Sequence, residues 1–142
     1  MNHYMILLRN ETIDFAAYSP EDMQRILSDF DEWNAKMIRE GRLIASGNLQ
    51  NGTGKTIRAG NVIIDGPYSE TKEAIAGFFL IEAEDYPRAA EIAAGCPFIP
   101  RGGSVEVRFM PQLEFEDAAR PLMEEHARIR AEAKQNNKEK EA

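Results

Sequence analysis

A single cysteine, Cys96, occurs among the 142 residues, which excludes an internal disulfide and fits a reducing compartment. It stands in Gly95-Cys96-Pro97, just after an expected helix, and reads as a small buried apolar residue. Histidine is scarce as well. His3 and His126 lie at opposite ends of the chain, so neither pairs with a nucleophile as a base. No apolar run approaches the ~20 residues that a membrane-spanning helix needs. Met5–Leu8 is too short for the core of a targeting signal and lacks basic flanks. The expected location is therefore cytoplasmic, with no membrane partner. Basic residues are in deficit, 17 against 24 acidic, for a net charge of −7. The deficit holds on both sides of Met110, with 11 basic and 16 acidic residues up to it and 6 and 8 beyond. No Lys/Arg stripe stands ready to neutralise phosphates, which argues against nucleic acid as a partner. Metal-ligand spacing is missing, and the glycines at Gly52 and Gly54 lack the strand-then-helix setting of a phosphate loop. No metal and no cofactor is expected.

What is present suits one domain, since 43% hydrophobic residues are enough for one core. Tyr4-Met5-Ile6-Leu7-Leu8 reads as a buried first strand. Ser19-Pro20-Glu21-Asp22 carries the chemistry of a helix start: a side-chain acceptor, a first-turn proline and acids at the positive end of the dipole. Met23, Ile26, Leu27, Phe30, Trp33 and Met37 follow at helical spacing until Gly41, and they read as core. Leu43–Ser46 forms a second strand. Lys55–Arg58 and Val62–Asp65 flank the turn residues Ala59-Gly60-Asn61 as a small hairpin. A strand over 77–83, a helix over 86–94 ending at Gly95, and a strand over 105–109 complete the core.

With the hairpin set aside, the order is β-α-β-β-α-β, which predicts an α+β fold of ferredoxin-like type over 1–110. The first and third main strands are apolar on both faces (Met5 and Leu7 against Ile6 and Leu8; Phe78 and Leu80 against Phe79 and Ile81). Two helices cover one face of such a sheet, so a second copy is expected on the other, giving a homodimer. The extension 111–142 reads as a C-terminal helix with Ala119, Leu122, Ile129 and Ala133 on one face. Pro121 interrupts it near its start, Glu124 and Arg128 are spaced for an i,i+4 pair, and fraying is expected from Gln135 to Ala142.

Two segments hold the candidate chemistry. Asp65-Gly66-Pro67-Tyr68-Ser69-Glu70-Thr71-Lys72-Glu73 packs four charges beside turn-forming residues. Asp-Gly-Pro is turn chemistry, and Ser69 suits a local cap. Glu70 and Lys72 are harder to explain as turn formers, and a lysine near carboxylates could bind an acidic or carbonyl-bearing ligand or simply form a solvated ion pair. In the last strand, alternation puts Glu106 and Arg108 on one face. Charges in a strand need partners. Asp65, Tyr68, Glu70, Lys72, Glu106 and Arg108 are therefore the candidate cleft, and a structural ion-pair network is the competing explanation.

The nonapeptide resembles the signature of the DGPF-domain branch of the YCII-related family. Tyr4-Met5-Ile6-Leu7, Gly41-Arg42-Leu43, Ser46-Gly47-Asn48-Leu49, Gly77-Phe78-Phe79-Leu80-Ile81 and Glu106-Val107-Arg108 continue the resemblance in order, over about Met1 to Met110. It implies a dimeric α-β barrel. In the YCII branch a histidine on the first helix, with an aspartate, looks like an acid–base pair, and a relative carries out a dehydrochlorination-type elimination. The first helix here has no histidine, and Phe30 stands near that position. Tyr68 replaces the usual phenylalanine, and Phe109 stands where proline is frequent. DGPF-type proteins are also often encoded beside extracytoplasmic-function sigma factors.

Three functions are consistent with these features. One is a homodimer that holds a small polar metabolite in the charged cleft. Another is a lyase- or isomerase-type enzyme with Asp65 as proton acceptor and Lys72 or Arg108 stabilising developing charge, which requires Asp65 to be buried. The remaining one is a regulatory partner of a sigma factor that docks through the C-terminal helix.

Overall fold

The structure is a computed structural model that describes residues 1–9, 13–50, 52–65, 75–111 and 116–141. The chain divides into two compact units, residues 1–110 and 111–142. The first contains β1 (Asn2–Arg9), α1 (Pro20–Arg39), β2 (Leu43–Asn48), β3 (Lys55–Arg58), β4 (Val62–Asp65), β5 (Ile75–Ala83), α2 (Tyr86–Ala93) and β6 (Ser104–Met110). Short 3-10 turns at Phe15–Ala17 and Ile99–Arg101 precede α1 and β6.

Four strands form an antiparallel sheet in the order β2-β5-β1-β6. With α1 between β1 and β2, and α2 between β5 and β6, this is the ferredoxin-like arrangement of an α+β fold. The strands β3 and β4 form a separate two-stranded hairpin, and its strands occupy the residues expected from the sequence. Its turn needs the left-handed region, supplied by Gly60 (φ 81°) and Asn61 (φ 60°).

The helix boundaries follow from local chemistry. At the start of α1 the Ser19 hydroxyl accepts from the Asp22 N–H at 3.1 Å, and the Ser19 N–H donates back to the Asp22 carboxylate, closing a capping box. Gly41 (φ 69°) ends the helix. Its N–H donates to the Ile38 carbonyl and the Arg42 N–H to the Met37 carbonyl, so two otherwise orphaned carbonyls are satisfied. Asp85 caps α2 through the Arg88 N–H at 2.9 Å.

The core lies between the helices and one face of the sheet. Tyr4, Ile6 and Leu8 of β1 and Phe79, Ile81 and Ala83 of β5 are buried there with Ile26, Trp33 and Met37 of α1 and Ala89 and Ala93 of α2. Fully burying a side chain such as Ile81 or Met37 stabilises by about 1.5–3 kcal/mol. The Trp33 indole Nε1 donates to the Ile92 carbonyl at 3.1 Å, which ties α1 to the end of α2. Tyr4, Tyr86 and Phe109 cluster at the other end, and the Phe109 N–H donates to the Tyr86 hydroxyl at 2.8 Å. A proline at 109 has no N–H for that bond.

The opposite face of the sheet presents Met5 and Leu7 of β1 beside Phe78 and Leu80 of β5, all half-buried. Phe78 lies across Gly47, where an added Cβ would meet its ring at 2.8 Å. That close approach also explains why β2 extends beyond the expected Ser46 to Asn48: glycine at 47 and 77 lets the two backbones come together.

The second unit contains α3 (Glu116–Glu141), with Pro121 inside it. The helix continues to Glu141, and Gln135 donates to Glu139 at 3.1 Å. Arg128 pairs with Glu132 at 3.3 Å and Glu125 at 3.9 Å, not with the expected Glu124. Among the described residues no helix is long and apolar enough to cross a membrane.

Candidate functional site

One face of α1 recurs at the spacing of Met23, Ile26, Leu27, Phe30, Asp31 and Asn34, which places all six along a single stripe. Across from it lie Leu8 of β1 and Ala76 and Phe79 of β5, with Phe15 and Phe98 at the side. Ala76 is the smallest apolar side chain of that lining. Together these residues line a cleft of about 420 Å³ between α1 and the sheet, a size suited to a small organic molecule. Its walls are mainly apolar, with Phe30 edge-on to Phe98 at 5.1 Å between ring centroids. Its polar groups are few: Asp31 and Asn34 on α1, Ser46 and Asn48 on β2. Asp31, Ser46 and Asn48 are exposed at the mouth, whereas Asn34 is half-buried. The Asn34 Oδ1 is buried without a hydrogen-bond partner among the described residues.

Of the sequence-predicted candidates, Asp65, Glu106 and Arg108 are not part of this lining. Glu106 and Arg108 do come together on β6. The Glu106 carboxylate accepts from Arg9 at 2.7 Å and from Arg108 at 3.2 Å, and the Arg9 guanidinium, then that of Arg108, holds its pKa below the usual carboxylate value. Glu106 stands opposite Leu7 and Arg108 opposite Met5 in the pairing of β1 with β6. Both therefore lie on the sheet face away from the cleft, because the cleft is lined by Leu8 and Phe79 of the helix-covered face.

Asp65 ends β4 on the separate hairpin, where its carboxylate pairs with Lys55. Its side chain is 85% exposed. The burial that a carboxylate base requires is thus not found at Asp65. Tyr68, Glu70 and Lys72 lie outside the described residues.

Sequence reasoning missed Asp31 and Asn34. The sequence assigns the apolar positions of α1 to the core and singles out none of the polar ones between them. The signal was present in the spacing: Asn34 follows Met23, Leu27 and Phe30 on the stripe that faces the sheet. Phe30, near the position that the resemblance gives to histidine, contributes an apolar wall. Among the described residues no group of three or more His, Cys, Asp or Glu side chains is arranged to hold a metal ion. Cys96 is fully buried, and that burial pushes its thiol up to about 11.

Comparison with known proteins gives three findings. The YCII-related domain model matches residues 3–115. An uncharacterized protein of Rhizobium meliloti (strain 1021) is 30% identical over 115 residues, covering 74% of this chain and 89% of that relative. A solved structure of a 5-chloro-2-hydroxyhydroquinone dehydrochlorinase from Burkholderia phenoliruptrix AC1100, in complex with 2,5-dihydroxybenzoquinone, is 15% identical. It covers 79% of this chain and 96% of that one, with a TM-score of 0.42.

Proposed function

The chain belongs to the YCII-related family, and from that premise we propose that it is a small-molecule-binding domain whose ligand seats between α1 and the sheet. The observation that carries this reading is the cleft itself: about 420 Å³ of mainly apolar space with Asp31, Asn34, Ser46 and Asn48 as its polar groups. Apolar walls with a few placed polar groups are what small-molecule sites use for affinity and orientation. A thermal-shift screen of the full chain tests it. A ligand at about a hundred times its dissociation constant adds roughly 2.7 kcal/mol of stability. Ala76→Leu fills the cleft and is expected to abolish those shifts while the fold persists. Hits that survive Ala76→Leu would place the ligand elsewhere.

The domain works, in this proposal, as a homodimer closed over the open sheet face. Met5, Leu7, Phe78 and Leu80 supply the apolar centre. The Arg9–Glu106 pair flanks it with both signs of charge, a pattern that a second copy can meet in antiparallel register. Here the Arg9–Glu106–Arg108 cluster borders the dimer contact, in place of the charged ligand cleft expected from the sequence. Light scattering should report a mass of two chains, and Leu80→Lys should return it to one. A single-chain mass for the unaltered protein rejects the pairing.

A second reading draws on α3, which begins where the family match at residue 115 ends. It makes α3 the contact for a regulatory partner of the sigma-factor type. Co-expression with an extracytoplasmic-function sigma factor should then yield a complex that Ile129→Glu disrupts. Separate elution of the two proteins removes this reading.

A further inference from the structure

Among the described residues the hairpin of β3 and β4 pairs with no strand of the main sheet, and it exposes its apolar residues. Ile57 is 67% exposed, Ile63 65% and Val62 53%. Ile57 and Ile63 are direct partners across the hairpin, with Lys55 and Asp65 the next pair on the same face. Thr56 pairs with Ile64 and Arg58 with Val62 on the other face. A two-stranded hairpin is marginal in water by itself, and branched apolar side chains exposed on both of its faces call for further cover. The two edges differ in charge. β3 carries Lys55 and Arg58, charges of the kind by which natural edge strands resist pairing, whereas β4 carries none until Asp65 at its end.

That asymmetry selects both the edge and its occupant. A strand that pairs with β4 meets Val62, Ile63 and Ile64 in turn, and β4 taken in the antiparallel sense is itself a match for that run. In the two-fold register centred on Ile63, Ile63 faces Ile63 of the second copy, and Val62 faces Ile64 of the second copy. The pairing within each hairpin then extends one face into an unbroken row of isoleucines, Ile57 and Ile63 from each copy. Lys55 and Asp65 stay paired with each other beyond its ends, so no like charges meet across the new edge. We propose that β4 is a strand-pairing edge for a second copy of this chain, which joins the two hairpins into one continuous sheet. A strand this short is too small a contact to hold two chains by itself. The inference therefore rests on the homodimer reading above, which supplies the effective concentration.

Disulfide trapping on the full chain tests it. Ile63→Cys brings two thiols to the centre of the register, within the Cα separation of up to about 7 Å that a disulfide spans. Ile57→Cys is the matched control. It is comparably exposed, yet about three strand spacings, roughly 14 Å, separate it from its counterpart. Both sites lie outside the core, and the unaltered chain with its buried Cys96 gives the background. Under mild oxidation Ile63→Cys is expected to form a two-chain species at least about tenfold faster than Ile57→Cys, because only its thiols are held together. Equal rates at the two positions would mark random encounter and overturn the inference. So would failure of Ile63→Cys to link while light scattering still reports a mass of two chains, a result that leaves the homodimer standing. A single-chain mass for the unaltered protein overturns both.

Discussion

Phe30 meets Phe98 with ring planes at 83° and centroids 5.1 Å apart, and the same Phe30 ring lies 6.1 Å from Trp33. The contact with Phe98 joins α1 to the segment that follows α2, and both phenylalanines line the cleft. Such aromatic pairs add about 0.5–1.5 kcal/mol beyond their buried area. A ring at this position is thus part of the scaffold as well as of the site.

Phe30→Ala should therefore destabilise the fold, by about 2 kcal/mol given that the ring is only half-buried. Urea unfolding followed by Trp33 fluorescence measures it. A change below about 0.5 kcal/mol would mean that the ring pair is not structural.

Gly95 tests the contact between the end of α2 and α1. A Cβ there would meet the Trp33 Nε1 at 2.9 Å, next to the bond that this indole donates to the Ile92 carbonyl. Gly95→Ala is expected to cost about 1–3 kcal/mol and to alter Trp33 emission. Thermal melts should show the loss, whereas unchanged stability and emission would show that the indole moves aside freely.

Glu106 gives a pH prediction. Arg9, then Arg108, holds its carboxyl below the ordinary glutamate value of 4.5. Because the folded value is lowered, the contribution is present above the unfolded value and is lost as pH falls through the folded one. Glu106→Gln should make the protein less stable at pH 7, and the gap to wild type should close as acid is added below pH 4.5. A gap that stays constant with pH would assign the effect to packing alone.

For Cys96 the sign is the opposite. Burial lifts the thiol from 9.0 to about 11, so its contribution is complete below 9.0 and is lost as pH rises toward 11. Wild type should lose stability through that window more steeply than Cys96→Ala. The native thiol should also resist alkylation at pH 8 and react once urea unfolds the chain. Rapid labelling of the native protein contradicts this assignment.

Much of the fold was legible in the sequence because its cues are local. The capping box at Ser19 and Asp22, the stop at Gly41 and the hairpin turn at Gly60 and Asn61 are each specified by neighbouring residues, and the structure has all three. The length of β2 was not legible, since it depends on Gly47 meeting Gly77 from a distant strand. The cleft was harder still. Periodicity shows which side of α1 faces the sheet, yet only tertiary packing brings Ala76 and Phe98 to the same cleft as Phe30 and Asn34. Dense charge drew the functional reading to the segment that begins at Asp65, while the structure puts Asp65 in solvent with Lys55. Glu106 and Arg108 did share a face, as alternation required, but that face is the one away from the cleft.

The most direct test of the ligand site is a protein-observed NMR map of the full chain titrated with cyclohexylmethanol. Perturbations centred on Phe30, Asn34, Ala76 and Phe79, with Arg9, Glu106, Arg108 and Asp65 unmoved, are the predicted result. Perturbations confined to Glu106 and Arg108, or to Asp65 and its hairpin, would contradict the account and return the site to the charged residues.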